Sequence, residues 1–147
     1  MIDRMKELLK TRDMCVLATC SDNKPHCSLM GYITDEPIER VYLVTLKSTR
    51  KYRNLMQNSQ VSLLVDTRSE HGGLRENIQA LTVSGTCAPV DEGEHKDAVF
   101  RRFSRAHPHL SGLLNDPDMV LLCLRIESFL LLQGPLEAHF VQVPPPY

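Results

Sequence analysis

The residues that most restrict the fold lie late in the chain, where Met119 to Ile126 and Phe129 to Gln133 are almost continuously apolar. A strand that alternates apolar and polar residues needs one covered face, whereas a strand apolar at successive positions needs two. The other strand-like runs are Met14 to Cys20, Pro25 to Ile33, Val41 to Leu46, Val61 to Asp66 and Gln79 to Val90. Short links between them favour antiparallel pairing. One layer of helices cannot shield both faces of such a sheet, so a second copy of the chain is the expected cover, making a homodimer. With 147 residues, residues 1–147 read as a single domain of mainly β class with flanking helices.

The links carry their own signals. Ile2, Met5, Leu8 and Leu9 recur at helical spacing and predict an amphipathic helix over residues 2–12 that lids one end of the sheet. Ser21-Asp22-Asn23-Lys24 is hairpin-turn chemistry, Thr34 to Glu39 makes a second turn, and Thr49 to Asn58 reads as helix. Thr67 to Glu76, with Gly72-Gly73, reads as a mobile loop. Asp91 with Glu94 resembles a capping box for a helix running to about Ala106, which His107-Pro108 then ends. Asp116 and Asp118 flank a proline and read as turn formers, not as an acid/base pair. Pro144-Pro145-Pro146-Tyr147 fits the P-P-x-Y pattern, but a solvated end is the better reading.

Several function classes are excluded. Lys plus Arg total 17 against 18 Asp plus Glu, so no overall field draws nucleic acid or an anionic membrane. No apolar run approaches the roughly 20 residues of a membrane helix, and the charged first stretch is unlike a signal peptide, which points to the cytoplasm. The five cysteines (Cys15, Cys20, Cys27, Cys87, Cys123) are odd in number, lack a C-x-x-C pair, and read as reduced, mostly buried small hydrophobes with no metal site. No Ser-His-Asp order, Walker loop or dinucleotide fingerprint is present, so catalytic residues stay unassigned.

The stretch Val41 to Leu55 carries the chemistry, because an apolar strand runs into Lys47-Ser48-Thr49-Arg50-Lys51 and then a helix. Ser48 or Thr49 can cap that helix, its first N–H groups are free, and Arg50 and Lys51 add charge, so a phosphate fits there. The residues alone favour the alternative, an ordinary capped helix with a solvated basic face.

Val16-Leu17-Ala18-Thr19, Lys24-Pro25-His26, the strand above, Arg50-Lys51 with Asn54-Leu55, Val61-Ser62-Leu63-Leu64, and Leu81-Thr82-Val83-Ser84-Gly85-Thr86 resemble, in order and spacing, the pyridoxamine 5'-phosphate oxidase family. The resemblance implies an FMN-binding split barrel, a homodimer with FMN at the subunit interface, and an oxidoreductase acting on a small-molecule substrate or electron donor, NAD(P)H among the donors. It implies cofactor contacts from His26, Cys27, Ser28, Leu29 and Met30 along the second strand, from Thr45, and from Ser48, Thr49, Arg50 and Lys51 at the phosphate. Gln79 and Thr82 would reach the site from the partner subunit. Ser28 stands where the oxidases carry an arginine, and Pro135 to Tyr147 holds no Arg or Lys to grip a substrate phosphate, which argues against oxidation of pyridoxamine 5'-phosphate itself.

Arg101-Arg102-Phe103, His107-Pro108, Asp118 to Arg125, and Gln133-Gly134 with Ala138-His139 are more weakly similar to the haem-utilization branch of the fold. That branch implies haem as the alternative ligand. Its Gly-Phe-Gly turn is altered here to Gly134-Pro135-Leu136. Six histidines (His26, His71, His95, His107, His109, His139) supply candidate axial ligands, His139 foremost because it follows that turn.

Overall fold

The computed structural model describes residues 1–70 and 74–145, so Gly72-Gly73 and the last two residues of the proline tail lie outside the described residues. Its strands are β1 (Met14–Ser21), β2 (Lys24–Gly31), β3 (Ile33–Thr34), β4 (Arg40–Leu46), β5 (Gln60–Asp66), β6 (Gln79–Pro89), β7 (Met119–Gln133) and β8 (Glu137–Gln142). Four α-helices join them: α1 (Ile2–Thr11), α2 (Arg50–Gln57), α3 (Glu94–Ala106) and α4 (Ser111–Leu114). All eight strands form one antiparallel sheet in the order β2-β1-β5-β6-β7-β4-β3, with β8 added beside β7. The sheet curls into a half-barrel, the split-barrel fold that the sequence resemblance implies.

The β1–β2 hairpin follows directly from its turn. Asp22 and Asn23 adopt φ of 52° and 60°, the left-handed pair that a two-residue turn needs to match strand twist, and both residue types tolerate it. Cys15, Leu17 and Thr19 then face inward with Leu63, Val65, Leu81 and Val83 of β5 and β6. α1 closes one end of this interior with Met5, Leu8 and Leu9, all buried in the same core. Tyr32 seals the corner, its buried hydroxyl donating to the Leu9 carbonyl at 2.5 Å.

β7 is the spine of the sheet. It pairs with β6 over Leu122–Gln133, with β4 over Met119–Arg125 and with β8 over Ser128–Gln133. The two apolar runs are therefore one strand, interrupted by a bulge at which Ser84 and Gly85 face Ser128 and Ile126 and leave Glu127 extra. The bulge resets the alternation, so that Leu122, Leu124 and Ile126 face inward before it and Phe129 and Leu131 after it.

The outer face of β7 is covered in two different ways. Its first half, with Leu121, packs with Tyr42 and Val44 against Val99 and Phe103 of α3 and Leu114 of α4. The expectation that a partner copy covers the whole strand is thus corrected for this half: the chain's own helices do it. Among the described residues the second half has no such cover. The capping box is also corrected, because α3 starts at Glu94 with Gly93 (φ 138°) as its cap and no side-chain bond to it.

Gly85 permits the bulge. A Cβ at this position would sit 2.0 Å from the Arg125 carbonyl oxygen, a backbone atom of the neighbouring strand. Gly85→Ala is expected to destabilise the protein by about 3 kcal/mol or more, since strand backbones cannot separate locally without losing pairing. Urea unfolding at fixed protein concentration checks this, and an unchanged midpoint would contradict the account.

Candidate active site

The site lies where the barrel splits. β2 runs beside β1, and after Tyr32 the chain crosses over as β3 to pair with β4 at Val41 and Tyr42. Beyond that point β2 and β4 splay apart, each keeping a strand neighbour on one side only. The gap is a cleft of about 210 Å³ between Leu29, Met30 and Gly31 on one edge and Val44, Thr45 and Leu46 on the other. Phe103 of α3 with His109, Leu110 and Leu113 walls one side, Thr49 and Lys51 close the end, and Met14 completes it.

Thr49 organises the polar end. Its hydroxyl donates to the Leu46 carbonyl at 2.8 Å, accepts from the Tyr52 N–H at 3.3 Å as the α2 cap, and lies 3.0 Å from the Thr45 hydroxyl. A threonine hydroxyl has one proton and two lone pairs, so this set saturates it and fixes Thr45 as its donor. Thr49 therefore shapes the helix start rather than gripping an anion. The backbone N–H groups of Arg50 and Lys51 have no partner among the described residues and remain for one. Asn54 pins α2 in place by donating to the Thr19 hydroxyl at 3.0 Å.

Lys51 is half-buried in the cleft, and desolvation holds its ammonium below the usual lysine range. A cation that has given up water without a carboxylate partner is a good receptor for an incoming anion. Arg50, by contrast, is exposed at the start of α2 and does not line the cleft; neither does Ser48, whose carbonyl accepts from Arg53.

Of the residues singled out in the sequence, Leu29, Met30, Thr45, Thr49 and Lys51 come together here. Ser28 and His26 share the inward side of β2 with Met30, paired opposite Leu17 and Thr19, and Cys27 lies exposed on the other side. Gln79 stands far along β6, where Arg4 of α1 donates to its side chain. Thr82 faces outward from the middle of the sheet. His139 is on the opposite side of β8 from the outward-facing Phe140, beside Leu131, and does not line the cleft.

Sequence reasoning missed the helical wall and its fastening. His107 is 1% exposed, and its Nε2 donates to the Tyr32 carbonyl at 2.9 Å, so it ties the end of α3 to the β2–β3 crossover as well as ending the helix. Gly31 makes that possible, because a Cβ there would meet the His107 ring at 2.9 Å. A glycine inside a strand is a sequence signal of close approach, although it does not say to what.

The second half of the sheet exposes a continuous outer face. Leu29, Val16, Leu64, Thr82, Leu130 and Phe140 align side by side across β2, β1, β5, β6, β7 and β8. The next row, Cys27, Ala18, Ser62, Ser84, Ser128 and Gln142, is also uncharged. Leu29 is 73% and Phe140 64% exposed, and Leu29 belongs to both this face and the cleft. Cys27 is therefore not the buried small hydrophobe expected, while Cys15 and Cys87 are; burial pushes both of their thiols up to about 12.

A half-barrel with a cleft where two strands part defines a split-barrel protein. The model for pyridoxamine 5'-phosphate oxidase matches residues 1–133, and the chain belongs to that family. No curated protein matches it. Among solved structures, a haem-binding protein from Mycobacterium smegmatis is similar with TM-score 0.82 and 16% identity over 94% of this chain, which spans only 56% of that one. A putative pyridoxamine 5'-phosphate oxidase from Listeria innocua superposes with TM-score 0.70 and 17% identity, covering 90% of this chain and 98% of the other. An FAD-binding protein from Mesorhizobium loti gives TM-score 0.70 and 19% identity, with 88% and 91% covered. At such identities these likenesses establish the fold. Among the described residues no helix is long and apolar enough to cross a membrane.

Proposed function

We propose that the chain is an FMN-binding flavoprotein, working as a homodimer and acting as an oxidoreductase on a small molecule in the cytoplasm. The observation that carries this reading is the convergence of Lys51, the free N–H groups at the start of α2 and the open strand edges of β2 and β4 on one cleft. The donor set suits a flavin phosphate: a desolvated ammonium and two backbone amides offer charge-assisted hydrogen bonds. The apolar walls from Leu29, Met30, Phe103 and Leu113 suit the ring, and the unpaired backbone of β2 suits its polar edge.

FMN, when bound, supplies exchange of a hydride or electrons with the substrate, and the protein supplies position and exclusion of water. Thr49 and Thr45 hold the helix start, and His107 holds the aromatic wall. A cleft of about 210 Å³ falls short of the several hundred Å³ that ligand sites usually enclose. A second copy seated on the uncharged outer face adjoins the cleft at Leu29 and completes it. Gln79 and Thr82 serve the site from that copy.

Haem is the competing ligand, favoured by the haem-binding protein from Mycobacterium smegmatis among the structural relatives. In that case His109, which lines the cleft, is the axial ligand and not His139. The absorption spectrum decides, taken on the purified protein and after titration with FMN, riboflavin and haem. Two visible bands and a preference for FMN over riboflavin support the flavin reading, whereas saturable Soret growth without FMN binding replaces it.

A pH titration probes the phosphate contact. FMN binds the protonated Lys51, whose folded value lies below that of an ordinary lysine, so above that value binding must also take up a proton. FMN affinity is therefore expected to fall as pH rises into the alkaline range, beginning lower than an ordinary lysine would require. In Lys51→Ala that fall disappears; a wild-type affinity that stays flat through the ordinary lysine value of 10.5 excludes the contact.

A further inference from the structure

We propose that the chain has a second ligand site, for a small molecule bearing a carboxylate or phosphate group, held by Arg40 and Arg125 at the other end of the β4–β7 face that α3 covers. A cavity of about 620 Å³ lies there, larger than the cleft and at the opposite end of α3. It is within the size range of sites for small molecules.

Its floor is cationic by construction. Arg40 and Arg125 are direct partners across β4 and β7, so their side chains project from the same face of the sheet. Like charges in this relation repel, and a sheet tolerates them at a cost in stability. Arg40 has a counter-ion in Asp35, at 3.4 Å, and the same carboxylate accepts from the Glu39 and Arg40 backbone N–H groups, which anchors it. Arg125 has neither an ion pair nor a side-chain hydrogen bond among the described residues. One guanidinium is thus oriented by its partner and the other is free, and an anion bridging both would relieve the repulsion.

The remaining surroundings narrow the ligand. Thr86 pairs opposite Arg125 from β6 and lines the cavity, offering a hydroxyl beside the fork. Tyr42, 1% exposed, has its hydroxyl 3.2 Å from Nε2 of His95, so α3 and the floor are joined by a fixed polar contact. Asp91 and Glu92 stand on the rim, where Lys96 pairs with Glu92 at 2.6 Å. Rim carboxylates repel an extended polyanion, and the site therefore takes a compact ligand with one anionic group rather than a nucleic-acid strand.

The experiment follows the arginine side-chain N–H signals by NMR while inorganic phosphate or benzoate is added. It is run on wild type, Arg125→Gln and Lys51→Ala, the last lacking the ammonium of the cleft. Saturable shifts at Arg40 and Arg125 are expected with at least one probe, kept in Lys51→Ala and weakened on the order of tenfold or more in Arg125→Gln. A response to phosphate alone assigns phosphate esters, and a response to benzoate alone assigns carboxylates. Arg125→Gln is also expected to match or exceed the wild-type Tm in phosphate-free buffer, and only wild type should gain Tm with the probe. Shifts that do not saturate, that persist in Arg125→Gln, or that vanish in Lys51→Ala overturn the proposal. Because Lys51→Ala removes the phosphate contact of the cleft, failure of the FMN reading leaves this result unaffected.

Discussion

Leu64→Asp and Leu130→Asp are each expected to convert the proposed dimer to monomer at micromolar concentration and to abolish the proposed flavin binding with it. Both residues sit in the middle of the uncharged outer row, flanked by Val16, Thr82 and Phe140. In a two-fold dimer each substitution enters the interface twice, and each buried unpaired carboxylate costs several kcal/mol. An increase in the dissociation constant of about a thousandfold or more follows from roughly 4 kcal/mol. Sedimentation equilibrium gives the mass, and far-ultraviolet circular dichroism shows whether the monomer stays folded. A wild-type monomer, or variants that stay dimeric, would show that this face is not the interface. Variants that turn monomeric yet keep FMN affinity would show that the cleft needs no partner.

The largest effect within the cleft is expected from Lys51→Ala, which should weaken FMN binding by about tenfold to a hundredfold while riboflavin binding changes little. A charge-assisted hydrogen bond to phosphate is worth about 1.5–3 kcal/mol, and riboflavin has no phosphate to lose. Arg50→Ala should cost much less, because Arg50 is exposed and outside the cleft. The difference between the two neighbours is the sharpest part of the expectation: equal losses would mean that the phosphate sits outside the cleft, on the exposed side of α2. Thermal unfolding of the apo variants checks that neither loss reflects unfolding.

The contrast between Arg50 and Lys51 also marks how far the sequence could be read. The positions of β1, β2 and β4 to β7 were legible because apolar runs, turn residues and short links leave few ways to pair, and the hairpin at Asp22-Asn23 came out where its chemistry demanded, whereas β8, with exposed and polar residues, was not read as a strand. The segment that closes the polar end of the cleft was legible as a segment, since a strand running into hydroxyls, cations and a helix is a local pattern. Which cation faces the cleft was not, because that depends on how α2 is rotated against β1, and the Asn54–Thr19 contact that sets the rotation joins residues 35 apart. The same limit hid the wall from α3 and α4. Their apolar faces predict burial against something, but only the crossover at Tyr32 and the contact of His107 with Gly31 determine that it is the edge of the cleft. The first half of β7 was misread for a related reason: continuous apolarity shows that two covers exist, not which molecule provides them.

The position of β7 has a consequence for how the chain acquires its structure. The strand that joins β4, β6 and β8 is made of residues 119–133, so β4 and the second edge of β6, whose first edge already pairs with β5, must wait for it. Until it emerges during synthesis, the first hundred residues present two open strand edges and an unsealed interior, surfaces that invite pairing with other chains. The distance in sequence between β4 and its partner makes sheet closure slow compared with the local β1–β2 hairpin. Refolding in vitro should therefore be limited by docking of β7, and expression should depend more on cellular chaperones than the small size of the protein suggests.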